Sequence, residues 1–329
     1  MENIVLFDPG VRSLNKGDEI IMRSARMELA KSGLLQGRYV IHSATHAPIV
    51  TWYQNTVFNP RMKFYDHAKY KFICGSNLLW KNMMKPRPVF NVDLTNCRPY
   101  RNSILMGVGL GQAQSKTNWY TKKLYSKILN KNVVHSVRDQ HTADFLKSLG
   151  YKAIDTGCPT MWQFTSDFCR SIPEKKADNV IFTLTDYGRD KANDQKLIDI
   201  LLQHYKTVYF WIQGAFDKEY FDSFKNTETI KIVDPTLEDF SSVLRENDID
   251  YVGTRLHAGM FAMQHKKRTI IIAIDSRVRD LNAAYALHVI QRDNISKLSD
   301  LIETSFATDV QLKEDNIREW LSQFEVISS

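Results

Sequence analysis

Residues 250–281 most limit what this 329-residue chain can fold into. They read Asp-Tyr-Val-Gly-Thr-Arg-Leu-His-Ala-Gly-Met, a short variable piece, then Thr-Ile-Ile-Ile-Ala-Ile-Asp-Ser-Arg-Val-Arg-Asp-Leu. Tyr251 and Val252 close a short apolar run, Gly253 and Thr254 make a turn, and apolar residues recur at helical spacing over 256–265. The run 269–274 has the composition of a buried strand. Strand, glycine turn, helix and strand predict a βαβ unit with Arg255 and His257 at a helix N-terminus. There, unbonded backbone N–H groups and the positive end of the macrodipole attract anions. Asp275, Arg277 and Arg279 follow the second strand at its C-terminal end, the edge where open α/β sheets bind ligands. Singly, Arg255 or His257 reads as a cap or a surface ion pair. Together at one edge with Arg277 and Arg279, they read as a site for a small phosphorylated or carboxylated ligand.

The same alternation runs through the rest of the chain. Strands are predicted at 4–7, 39–41, 70–74, 104–108, 133–136 and 152–155, with helices over 15–31, 48–55 and 142–149. Asn15 or Asp18 can cap the first helix, and Gly17 lets its backbone approach a ligand or another strand. Gly107-x-Gly109-x-Gly111 lacks the spacing of the dinucleotide fingerprint and its later acidic residue, which argues against NAD. Residues 168–178, with Pro173 and a cluster of charges, read as a linker. A second series follows, with strands at 180–184, 208–212 and 230–233 and helices over 196–204, 218–224 and 237–247. The pattern predicts an α/β protein of two doubly wound Rossmann-like domains facing a cleft, a GT-B-like arrangement. The expected boundaries are 1–170 for a basic, acceptor-side domain and 178–305 for a donor-side domain. Residues 306–329 are expected to return a helix to the first.

Composition removes several classes. Hydrophobic residues at 43% and charged residues at 25% are globular values, and no apolar run is long enough to span a bilayer. Asp8 interrupts the N-terminal apolar run, so no signal peptide is read and a cytoplasmic protein is expected. Cys74, Cys97, Cys158 and Cys169 are scattered, with no Cys/His clustering, which predicts reduced core thiols and no metal site. The net charge of +7 favours anionic partners, and no Asp or Glu lies between positions 94 and 138. Lys122, Lys123 and Lys127 there share a helix with Trp119, Tyr120, Leu124, Tyr125 and Ile128. Such a helix suits peripheral contact with the inner face of a membrane or with a polyanion, and a solvated face is the commoner explanation of such a charge run. Nucleic acid is disfavoured, because no binding motif accompanies the charge.

Five pieces of sequence then carry a resemblance: Asn15-x-Gly17-Asp18-Glu19, Ser136-x-Arg138-Asp139, Thr156-Gly157-Cys158-Pro159, Gly253-Thr254-Arg255-Leu256-His257 and Asp275-Ser276-Arg277-Val278-Arg279. In this order they resemble the polysaccharide pyruvyl transferase family. The resemblance implies transfer of pyruvate from phosphoenolpyruvate onto two hydroxyls of a saccharide, without a further cofactor. The saccharide implied is that of a cell-surface polysaccharide or its precursor, and the basic segment is compatible with a lipid-linked one. It implies that Arg138, Arg255, Leu256 and His257 surround the donor, with His257 and Arg255 catalytic. Arg277 and Arg279 would add phosphate or carboxylate contacts, and Asn15, Gly17, Asp18 and Asp139 would orient an acceptor or cap helices. The glycine run that many relatives carry after the third strand is absent beside Gly75. Two other classes fit the same pattern: a GT-B glycosyltransferase reading a ribose with Glu238 or Asp239, and a non-catalytic carbohydrate-binding relative.

Overall fold

The computed structural model describes residues 2–55, 58–84, 89–112, 116–246, 248–274 and 285–326. The chain divides into two compact units. The first takes Met1–Ser13, Ile21–Trp162 and Lys313–Ser329, and the second takes Leu14–Ile20 and Gln163–Leu312. The division therefore falls earlier than the expected linker. Phe164, Cys169 and Ile172 are buried, which a solvated linker would not allow.

In the first unit, β1 (Asn3–Asp8), β2 (Tyr39–Ala44), β3 (Tyr70–Cys74), β4 (Leu79–Trp80), β5 (Ile104–Met106), β6 (Leu110–Gln112), β7 (Val134–Val137) and β8 (Lys152–Asp155) alternate with helices. The helices are α1 (Lys16–Lys31), whose residues 16–20 count with the second unit, α2 (Pro60–Asp66), α3 (Trp119–Ile128) and α4 (Gln140–Ser148). The main sheet is parallel with order β2-β1-β3-β5, beside the smaller pairs β4-β6 and β7-β8. A parallel bridge at Val108–Val137 and a bond from Gly107 N–H to the Ser136 carbonyl link β5 to β7. Ile4, Val5, Leu6 and Phe7 are all fully buried, as a parallel strand covered on both faces requires. Their side chains alternate. Val5, Phe7, Ile73 and Leu105 join one core, while Ile4, Leu6, Phe72 and Ile104 join the other. Trp320, on the C-terminal helix Glu314–Ser322, closes that second core, edge-on to Phe72 and Trp162.

One expected helix is absent. Residues 48–55 hold only a 3-10 turn at Tyr53–Asn55, and the helix starts later, at Pro60. Asn59 caps it by accepting from Arg61 N–H, with proline in the first turn, a start signal the apolar pattern overshadows. The four cysteines are buried and none is in a disulfide. His135 is also buried. Its Nδ1 accepts from Leu105 N–H, and its Nε2–H donates to the Asn130 carbonyl. Burial lowers its pKa to about 4.

The second unit begins with α5 (Ser166–Arg170) and continues through β9 (Asn179–Thr183), α6 (Lys191–His204), β10 (Thr207–Trp211), α7 (Asp217–Phe221), β11 (Lys231–Val233), α8 (Leu237–Glu246), β12 (Ile249–Gly253), α9 (Leu256–Gln264), β13 (Thr269–Ala273) and β14 (Val289–Gln291). Its six strands are parallel in the order β11-β10-β9-β12-β13-β14. Counted within the unit this is 3-2-1-4-5-6, the doubly wound dinucleotide-fold order, and the direction of winding reverses between β9 and β12. Arg268, fully buried, bonds to Asp250 at 2.8 Å and donates to the Leu301, Ile302 and Thr304 carbonyls. It satisfies orphan carbonyls at the end of the helix Leu298–Glu303.

Candidate functional site

The winding reverses between β9 and β12, and three loops of the second unit meet at the C-terminal ends of these strands. Arg255 follows β12, Asp186 follows β9, and Gln213 to Asp217 follow β10. Arg255 is the N-cap of α9, as expected, but its side chain does not cap the helix. It turns into the protein at 3% exposure. Its Nε donates to the Leu184 carbonyl at 3.0 Å, and its Nη2 bonds to Asp186 at 2.7 Å and to Asp217. Two of its donor nitrogens are thus committed to protein acceptors, which differs from a guanidinium presented to a ligand.

Asp217 also accepts from Gly214 N–H at 2.6 Å and Asp186 N–H at 3.1 Å. Burial pushes its carboxyl up, against the pull of Arg255 and of these N–H groups. The Arg255 guanidinium is held more firmly protonated by Asp217, against its own burial. The cluster ties the three loops to one another. Asp186, Asp217 and Gln213 escaped the sequence reading, since a lone acid or amide after a strand carries no motif.

His257 is half-buried in the first turn of α9, next to half-buried Leu256. The Asn15-x-Gly17-Asp18 motif belongs to the same unit and meets it. Asn15 bridges antiparallel to Gly214, Lys16 N–H donates to the Gln213 carbonyl at 3.0 Å, and Ala215 N–H donates to Leu14. Asn15 Oδ1 accepts from Gly17 N–H at 3.0 Å and from the Gln213 amide at 2.7 Å. A Cβ on Gly17 would lie 2.9 Å from Gln213 Nε2, 3.1 Å from Asn15 Oδ1 and 3.4 Å from His257 Nδ1. Gly17 is therefore the contact face for the imidazole and the amide. Gln213 Oε1 is buried without a hydrogen-bond partner among the described residues. Asp18 lies in the first turn of α1, where a carboxylate complements the helix dipole.

Arg138 and Asp139 lie in the first unit, at the end of β7. Asp139 caps α4, accepting from Thr142 N–H and Thr142 Oγ1, both at 2.7 Å. Arg138 is half-buried, 3.6 Å from the Asp139 carboxylate. A Cβ on Gly109 would come within 2.8 Å of the Arg138 guanidinium carbon and 2.5 Å of Asn77 Oδ1. That Asn77 oxygen is buried and unpartnered among the described residues, so Arg138, Asn77 and the Gly109 backbone form one polar cluster. Arg277 and Arg279 lie outside the described residues. Among the described residues no group of His, Cys, Asp and Glu is arranged to hold a metal, and no helix is long and apolar enough to cross a membrane.

An imidazole at the start of a helix, on the switch-point edge of a six-stranded parallel sheet, places the second unit in the doubly wound α/β class. The chain belongs to the polysaccharide pyruvyl transferase family, a family of transferases, whose model matches residues 15–276. No curated protein matches the chain. Among solved structures it is similar to the UDP-GlcNAc 2-epimerase of Methanocaldococcus jannaschii in complex with UDP-GlcNAc and UDP. The identity is 12%, covering 98% of this chain and 100% of that one, at a TM-score of 0.49. It is similar also to MnaA of S. aureus with UDP, at 10% identity over 98% of both chains and a TM-score of 0.48. The heptosyltransferase WaaC of E. coli with ADP shares 11% identity over 82% of this chain and 86% of that one, at 0.37.

Proposed function

We propose that this protein moves the enolpyruvyl group of phosphoenolpyruvate onto two hydroxyls of a saccharide and closes them into a pyruvate ketal. The saccharide is part of a cell-surface polysaccharide or its precursor. The observation that carries this reading is His257, at the N-terminus of α9 and packed on the Asn15–Gly17 turn, in a chain of this family.

The donor carries a phosphate and a carboxylate, and the first-turn N–H groups of α9 suit either. His257 protonates the methylene carbon of the enol, which becomes the methyl group and leaves C2 an oxocarbenium-like electrophile. One sugar hydroxyl adds to C2 and loses its proton. The C2–O bond to phosphate breaks, and the second hydroxyl adds to C2 and loses its proton in turn. The products are the ketal and inorganic phosphate, with no change in oxidation state. Leu256 lines the donor beside His257. Arg255 is assigned to the same donor site, and its bonds to Asp186 and Asp217 give it the further task of holding the loop that carries His257. By its place in the family's motif Arg138 is assigned to the donor as well, and Asp18 to orienting a hydroxyl. Asp139 serves as a cap.

For the nucleotide-sugar alternative, Asp239 is a weak ribose ligand, because it pairs with Thr236 to cap α8: Asp239 N–H donates to Thr236 Oγ1 at 3.0 Å. Thermal-shift titration with phosphoenolpyruvate, UDP, GDP and CMP separates the readings, since a ligand of the native state raises its stability once its concentration passes Kd. A shift with phosphoenolpyruvate, followed by acceptor-dependent phosphate release that His257→Ala abolishes, supports the ketal reaction. A shift with one nucleotide and none with phosphoenolpyruvate overturns it.

A further inference from the structure

Charge is unevenly spread along the first unit. Between positions 61 and 138 there are fifteen Lys and Arg against only Asp66 and Asp93. Asp66 is bound by Arg98, whose guanidinium holds that carboxyl below the usual range. In and beside this cationic stretch, Trp52, Tyr53, Phe58, Met84 and Trp119 stand 57 to 91% exposed. Single exposed apolar residues are ordinary, but a group of large ones rimmed by charge marks an interaction surface.

Hydrogen bonds join the segments that carry these side chains. The Asn55 amide donates to the Thr95 carbonyl at 2.6 Å, and Leu94 N–H donates to Tyr120 Oη at 3.3 Å. Asn82 Oδ1 accepts from Met84 N–H at 3.1 Å and from the Asn118 amide at 2.7 Å. The loop carrying Trp52 and Phe58, the turn at Met84 and the start of α3 therefore adjoin one another. Along α3, Leu124, Tyr125 and Ile128 are buried, while Trp119, Lys122, Lys123 and Lys127 share the outward face at helical spacing.

We propose that this surface docks on an anionic phospholipid bilayer. Trp and Tyr suit the headgroup boundary, Phe and Met reach the acyl region, and lysines around them meet lipid phosphates. A nucleic acid would use the charges and leave the five apolar side chains in water. An ordinary protein partner would not call for so one-sided a charge. The proposal goes beyond the transfer reaction and does not depend on it.

The test is co-sedimentation of the full chain with vesicles of phosphatidylcholine alone and of phosphatidylcholine mixed with phosphatidylglycerol. Two variants accompany it, Trp52→Ser/Phe58→Ser and Lys122→Glu/Lys123→Glu, both confined to exposed side chains and checked for wild-type melting. Wild type is expected to sediment with the anionic vesicles only. Each variant is expected to bind at least about tenfold more weakly, the lysine variant on the scale of two membrane-facing charges and the aromatic variant through lost apolar burial. Several results overturn the proposal. One is failure to bind anionic vesicles. Another is binding that salt removes but Trp52→Ser/Phe58→Ser does not change. A third is concentration-dependent dimerisation that the aromatic variant abolishes, which would make the surface a contact between copies. Activity on a soluble acceptor is measured in parallel, so loss of docking is separable from loss of catalysis.

Discussion

Replacing Gly17 by alanine separates the fit of the site from the stability of the fold. The new methyl carbon would sit 2.9 Å from the Gln213 amide nitrogen and 3.1 Å from Asn15 Oδ1, both inside ordinary contact distance. Gln213 has to move, which breaks its 2.7 Å bond to Asn15, at a cost of about 1 kcal/mol. Against this, alanine is favoured over glycine within a helix by roughly 1 kcal/mol, and Gly17 lies in the first turn of α1. The two nearly cancel, so urea denaturation should place Gly17→Ala within about 1 kcal/mol of wild type. Catalysis has no such compensation. His257 Nδ1 meets the same methyl position at an ordinary 3.4 Å, so the displaced Gln213 amide is what would push the imidazole, and a displacement approaching 1 Å at the proposed proton donor costs up to about 10²-fold. Phosphate release from phosphoenolpyruvate, measured at limiting acceptor, should therefore fall by more than tenfold while the midpoint stays put. Unchanged kcat/KM would refute the claim that the Asn15–Gly17 turn positions His257. A loss of several kcal/mol would show that the motif serves the fold instead.

His257→Ala should lower kcat by about 10²- to 10⁴-fold with the phosphoenolpyruvate-induced thermal shift retained, the mark of a lost proton donor. Asp217→Ala removes the main partner of buried Arg255 and should cost about 3–5 kcal/mol in urea unfolding, whereas an exposed pair such as Lys218–Asp222 should cost under about 1 kcal/mol. His135 makes stability depend on pH. Its pKa falls from 6.5 to about 4 on folding, so the neutral form is favoured and its contribution is whole above 6.5. That contribution erodes as pH drops and is gone below about 4. Urea midpoints across this window should fall more steeply for wild type than for His135→Gln, and parallel slopes would rule out the buried histidine as the source.

How much of this was legible depends on the distance over which each contact acts. Residues 249–273 read as a strand, a helix and a strand in the sequence and are so in the structure, because period and glycine placement act over a few residues. The helix over 48–55 failed for the opposite reason. Its apolar residues carry no cap, while Asn59 and Pro60 do. Arg255 and His257 were recognisable as candidates, but their roles were not. Whether a guanidinium faces a ligand or two aspartates depends on Asp186 and Asp217, 69 and 38 positions away.

By itself the sequence determined the α/β class, the parallel strands, the family and the place of His257 at a helix start. These rest on local periodicity and on motifs read within a few residues. Only the tertiary structure decided that Asn15 and Gly17 belong with the second unit, that Gln213 joins them, and that Arg255 is held by carboxylates. Those outcomes follow from strand order. A parallel sheet wound in the order 3-2-1-4-5-6 brings loops far apart in the chain to one edge, and no local pattern in the residues encodes which loops meet there.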